Sequence, residues 1–162
     1  MIRFLVLLLV FVAQAHGFSR GAPICGSQRA NKDPLVPNHS PSRAYGDAPY
    51  KIVLGADCFT PGQNVSITLE GIDGEQFKGF ALQASDGAFI NARTYRWQYR
   101  CQHLTHTGSG LKSSITASFT APPSGIVNFT ATVVRSYSRY WVRGVTAGFA
   151  LCQENNATAA AK

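Results

Sequence analysis

The stretch "RSYSRYWVRG", residues 135–144, sets Arg135, Arg139 and Arg143 four residues apart among Tyr137, Tyr140 and Trp141, with no acidic residue near them in the sequence. A guanidinium is planar, weakly hydrated and able to donate two parallel hydrogen bonds, which suits phosphate and sulfate groups. Exposed Tyr and Trp rings offer flat apolar faces to the C–H surfaces of sugars while a polar edge bonds a hydroxyl. Lipopolysaccharide carries both phosphate and sugar. In an extended chain Arg135, Tyr137, Arg139, Trp141 and Arg143 share one face, and in a helix the three arginines still fall on neighbouring positions of one side. They would span roughly 26 Å as a strand and about 12 Å as a helix. A second stretch, "RTYRWQYR" (93–100), puts Tyr95, Trp97 and Tyr99 on one strand face, expected to be core, and leaves Arg96 and Arg100 on the other. The candidate binding set is therefore Arg96, Arg100, Lys112, Arg135 and Arg139 with Arg143 for charge, together with Tyr137 and Trp141 for stacking.

Charge distribution supports that choice. The chain has 162 residues and a formal net charge of +7. Residues 18–86 hold six basic and seven acidic side chains, whereas residues 87–153 hold seven basic side chains and no Asp or Glu. A field of one sign concentrates ligands of the opposite sign and speeds their encounter, so an anionic partner is expected. Nucleic acid would fit such a surface, but the secretion signals described below argue against it as a normal partner.

Catalysis finds no footing. No serine sits in a nucleophile-elbow pattern, the acid-free segment holds neither member of a carboxylate pair, and the remaining acids lie mainly in turns, where Asp is expected. The run "CQHLTH" could be read as three metal ligands, Cys101, His103 and His106. A structural zinc site requires four ligands, and a disulfide-bonded cysteine cannot supply a thiolate, so the run reads as an ordinary loop and no metal or cofactor is expected. His106 reads as a hydrogen-bonding residue that fixes that loop.

The elements that must position these side chains are legible in part. Residues 1–17 have a basic start, an apolar block "FLVLLLVFVA" and small residues at Ala15 and Gly17, the layout of a secretory signal cleaved after Gly17. No later stretch approaches the roughly 18 consecutive apolar residues that a membrane span needs. Cys25, Cys58, Cys101 and Cys152 form an even set in an exported chain and suggest two disulfides, with three connectivities open. Sequons stand at Asn38, Asn64, Asn128 and Asn156.

From Phe18 to about Ala48 the composition predicts an irregular arm rich in Pro, Gly, Ser and Asn. Then period-2 alternation begins: Val65, Ile67 and Leu69 in "NVSITLEG"; Phe80, Leu82 and Ala84 in "GFALQAS"; Ile115, Ala117 and Phe119 in "SITASFTA"; Val127, Phe129, Ala131 and Val133 in "GIVNFTATVV". Turn signals separate the runs, and no amphipathic helix of useful length occurs. The pattern predicts an all-β chain, an antiparallel β-sandwich over residues 18–152 followed by a flexible tail at 153–162. Asn64 and Asn128 share parity with the outward residues of their runs, as a glycan requires.

The segments "GAPIC", "PNHSP", "APYKIVL", "FTPGQNVSITLEG", "FKGFALQA", "THTGSGLK" and "FTAPPSGIVNFTATVV", with the closing "YW", occur in an order and spacing that resemble the reeler domain. That module stands at the start of reelin and in small secreted insect defence proteins, and the likeness runs from about residue 21 to 146. The resemblance implies an immunoglobulin-like sandwich. It also implies a secreted innate-immune protein that binds microbial surface glycans or lipopolysaccharide, promotes antimicrobial or nodulation responses and does no catalysis. It further implies a bridge between Cys25 and Cys101 and, on that pairing, one between Cys58 and Cys152. The competing expectation is a matrix or cell-surface adhesion module that uses the same basic face for sulfated glycans.

Overall fold

The computed structural model describes residues 20–22, 33–37, 39, 46–90, 95–98 and 101–153. Among them are strands β1 (Tyr50–Leu54), β2 (Asn64–Gly71), β3 (Gly79–Ala84), β4 (Ala88–Phe89), β5 (Tyr95–Gln98), β6 (His103–His106), β7 (Ser114–Thr120), β8 (Ile126–Val134) and β9 (Tyr140–Ala150). They form a four-stranded sheet in the order β1-β2-β7-β4 and a five-stranded sheet in the order β5-β6-β3-β8-β9, with antiparallel neighbours throughout. The antiparallel sandwich read from the alternation is the fold, and the described residues hold no α-helix. The "HLTH" run, expected to be a loop, is strand β6, buried along its whole length.

Every apolar residue that the alternation assigns to the interior is buried. Val65, Ile67 and Leu69 of β2, Phe80, Leu82 and Ala84 of β3, Ile115, Ala117 and Phe119 of β7, and Val127, Phe129, Ala131 and Val133 of β8 all lie in one core. Phe89, Phe119 and Phe129 meet edge to face or tilted, at centroid distances of 5.0 to 6.1 Å. Burial of such rings supplies about 1.5–3 kcal/mol each. Asn64 and Asn128 are exposed as their parity requires, whereas Asn38, Asn156, residues 1–17 and the tail from 154 lie outside the described residues.

Cys58 is bonded to Cys152, which closes the sandwich where the β1–β2 connection meets the end of β9. The backbone reinforces the clamp: Phe59 N–H donates to Ala150 O at 3.0 Å, and Cys152 N–H donates to Phe59 O at 2.8 Å. Cys101 is also disulfide-bonded, while its expected partner Cys25 lies outside the described residues.

Register fixes which loops are neighbours. Tyr50 pairs with Gly71 and Glu70 with Ser114 in one sheet, and Gly79 pairs with Val134 and Val134 with Tyr140 in the other. The connections 72–78 and 107–113 and the β8–β9 turn 135–139 therefore meet at one end of the sandwich, called here the hairpin end.

The two outer faces differ. In the five-stranded sheet the residues facing away from the core include Ala81, His103, Thr105 and Thr132, all buried. Part of the N-terminal segment lies across them: Ala22 N–H donates to Thr105 Oγ1 at 2.8 Å, and Thr132 Oγ1 donates to Leu35 O at 2.7 Å. Gly21 has φ +116°, and a Cβ there would sit 2.5 Å from the His106 carbonyl oxygen, so this crossing requires glycine.

Candidate recognition surface

The opening stretch is neither a continuous strand nor a helix. Residues 135–139 are the turn that joins β8 to β9, and residues 140–144 open β9. The amides of Arg135 and Ser136 donate to Arg139 O at 3.0 and 3.1 Å, and Ser136 Oγ accepts from the Arg139 amide at 3.1 Å. Just beyond the turn the pairing slips: Val133 faces Trp141 and Ala131 faces Val145, so residues 142–144 oppose Thr132 alone. Arg143 sits in this bulge at φ +51°, and its amide donates to Thr132 Oγ1 at 2.9 Å. A turn followed by a bulge resets side-chain parity. Tyr140 and Trp141 precede the bulge and are buried on opposite faces, at 4% and 5% exposure, Trp141 in the core opposite Val133 and Tyr140 against His39.

The expectation of one face shared by three unneutralised arginines is corrected by these contacts. Arg135 is ion-paired with Glu75 of the β2–β3 connection, and Arg143 with Asp33 of the N-terminal segment. Burial alone would raise the Asp33 carboxyl. Its hydrogen bonds from Arg143 and the Leu35 amide outweigh burial and hold it below the usual carboxylate value. Arg139 has no carboxylate partner among the described residues, and its guanidinium lies 5.3 Å from the Trp141 ring centroid.

The other expected binding residues fare differently. Arg96 is exposed on β5, as its parity predicts, and donates to the Arg20 carbonyl oxygen at 2.6 Å. Tyr95 and Trp97, on the opposite face, pack against the core. Lys112 donates all three ammonium hydrogens, to the carbonyl oxygens of Lys78, Gly108 and Gly110 at 2.9, 2.9 and 2.6 Å. Burial lowers its pKa, and the three bonds leave it no spare donor. Arg100 lies outside the described residues.

Tyr137 is 49% exposed at the turn. It stacks on His39, ring centroids 5.0 Å apart and planes 27° apart, while His39 meets Tyr140 edge-on at 5.4 Å. Burial lowers the His39 pKa, and a hydrogen bond to the Tyr137 backbone partly offsets that. What remains of the expected set at this turn is a flat Tyr137–His39 pair and the Arg139 guanidinium, which has no carboxylate partner among the described residues. His39, Glu75 and Asp33 were not expected among these contacts. The only sequence signal for His39 is its place in "PNHSP", and the two acids read as ordinary turn residues.

Among the described residues the metal alternative is not assembled. Cys101 is disulfide-bonded, and His103 and His106, three apart on β6, point to opposite faces. His106 Nδ1 accepts from the Phe80 amide at 3.1 Å, so it fixes the start of β3. His103 is fully buried, neither ring nitrogen has a hydrogen-bond partner among the described residues, and burial pushes its pKa down to about 4.

Comparison with known proteins places this geometry in a family. The Reeler domain pattern matches residues 32–157. The chain is 30% identical over 162 residues to defense protein l(2)34Fc of Drosophila melanogaster, covering 90% of this chain and 96% of that one. It is 26% identical over 164 residues to putative defense protein 1 of Antheraea mylitta, covering 91% and 95%. It is also 29% identical over 157 residues to putative ferric-chelate reductase 1 of Danio rerio, covering 86% of this chain but only 26% of that protein. Among solved structures, the Reelin-N domain of F-spondin superposes with a TM-score of 0.59 at 20% identity, covering 69% of this chain and 92% of that one. On sequence and fold together, the chain belongs to the reeler domain family.

Proposed function

We propose that this is a secreted defence protein that binds anionic, sugar-bearing components of microbial surfaces, lipopolysaccharide and glucan among them, through the hairpin end and without catalysis. The observation that carries the reading is the exposed Tyr137 ring stacked on His39 beside Arg139, which has no carboxylate partner among the described residues. Stacking suits a sugar ring, and a guanidinium suits the phosphate or carboxylate attached to it. Relatives that match over nearly their whole length are named defense proteins, which supports the same role. The disulfide Cys58–Cys152 agrees with an oxidising, extracytoplasmic compartment. Glycans on exposed Asn64 and Asn128 would stand on strand faces away from the hairpin turn.

Purified protein offered whole bacteria, lipopolysaccharide, β-glucan and heparin at physiological salt tests the reading. Retention on bacteria or lipopolysaccharide is expected. Retention on heparin alone would replace the defence role with adhesion to sulfated glycans.

A further inference from the structure

The hairpin end carries more than the aromatic pair. Among the large apolar side chains left exposed, Ile72 (39%), Leu111 (61%) and Tyr137 (49%) stand on its three different loops. Single exposed apolar residues are ordinary on a soluble surface, but three at the loop tips of one end form a pattern.

The loops hold these residues outward. Leu111 follows Gly108 and Gly110, which have open space where a Cβ would project, so that loop stands away from the body. Immediately behind it the Lys112 ammonium is fastened to three carbonyl oxygens, and Lys112 N–H donates to Phe77 O at 2.9 Å. Leu111 is thus presented from a fixed base. Ile72 opens a short 3-10 turn, its amide donating to Pro49 O at 2.9 Å.

The charge around these tips has one sign in excess. Residues 72–78, 107–113 and 135–139 contain Lys78, Lys112, Arg135 and Arg139 against Asp73 and Glu75, and Glu75 is occupied by Arg135. Lys78 is exposed and has no carboxylate partner among the described residues. Apolar tips with a basic surround are the chemistry of an anionic bilayer surface: aliphatic groups enter the headgroup–acyl boundary, tyrosine rests at the interface, and cations meet the phosphates.

We propose that the hairpin end is a membrane-contact surface, in which Ile72, Leu111 and Tyr137 enter the interface of an anionic bilayer while Lys78 and Arg139 meet its headgroups. This rests on the microbial-surface reading for its target, and it adds that the lipid layer itself is engaged as well as the sugars and phosphates displayed on it.

Co-sedimentation with vesicles of phosphatidylglycerol and phosphatidylethanolamine, against vesicles of phosphatidylcholine, is the test. Wild-type protein should sediment with the anionic vesicles, and soluble glycerol phosphate in excess should not prevent it. A double variant, Ile72→Asp with Leu111→Asp, should bind at least about tenfold more weakly while keeping its melting temperature, because both side chains are exposed. Absence of wild-type binding to the anionic vesicles, or undiminished binding by the folded double variant, overturns the proposal. Full competition by glycerol phosphate would also overturn it, by reducing the site to a phosphate pocket. Binding to whole bacteria but not to vesicles leaves the microbial reading standing and removes only the membrane contact. Binding to vesicles but not to bacteria does the reverse.

Discussion

Two regions of this sandwich use the same residue type for opposite ends. On the outer face of the five-stranded sheet, arginines fasten the N-terminal segment: Arg143 pairs with Asp33, and Arg96 donates to the Arg20 carbonyl oxygen. At the hairpin end Arg139 has no carboxylate partner among the described residues and lies over Trp141 beside the exposed Tyr137. A guanidinium count therefore overstates a recognition surface. What separates a clamp from a contact is whether a distant carboxylate or carbonyl reaches it.

The largest expected effect lies away from both regions. Replacing Cys58 and Cys152 by serine opens a bridge that spans 94 residues of sequence, and chain entropy assigns such a loop about 4–5 kcal/mol. The denaturant midpoint should fall accordingly. A shift equivalent to less than about 1 kcal/mol would show that the backbone bonds at Phe59 hold that end by themselves.

Acid should loosen the covered face next. His103 is neutral in the fold with a pKa of about 4, against 6.5 when unfolded. Its stabilising contribution is complete above pH 6.5 and is lost as pH falls toward 4, by on the order of 3 kcal/mol at full protonation. His103→Leu should flatten the melting profile between those pH values. An unchanged acid slope would assign the loss to other groups.

Smaller again is Arg143→Gln. The pair with Asp33 is half-exposed, so its loss should cost less than about 1 kcal/mol, read in the melting temperature. Ligand binding should stay as it was. A substantial loss of affinity would return Arg143 to the recognition surface.

Which parts of this were readable from the sequence follows from how local the causes are. The strands β2 and β7 could be assigned residue by residue, because one face of their sheet meets water and the apolar period is undisturbed. β6 was misread, because the core buries one of its faces and the N-terminal segment covers the other, which leaves no alternation. Arg143 broke the assumed parity through a bulge, which a string of residue types does not mark. The partners of Arg135 and Arg143 lie 60 and 110 residues away, so nothing near "RSYSRYWVRG" announced them. Tyr137, by contrast, was expected on the surface and is there, because turn position and exposure go together.

The most direct measurement compares Tyr137→Ser with Arg139→Glu in one protein against Arg143→Gln, each titrated with lipopolysaccharide and with whole bacteria at fixed salt. The account predicts that the first protein keeps its melting temperature and loses at least about tenfold in affinity, while the second binds as wild type. Equal binding by all three, or loss confined to Arg143→Gln, would contradict it.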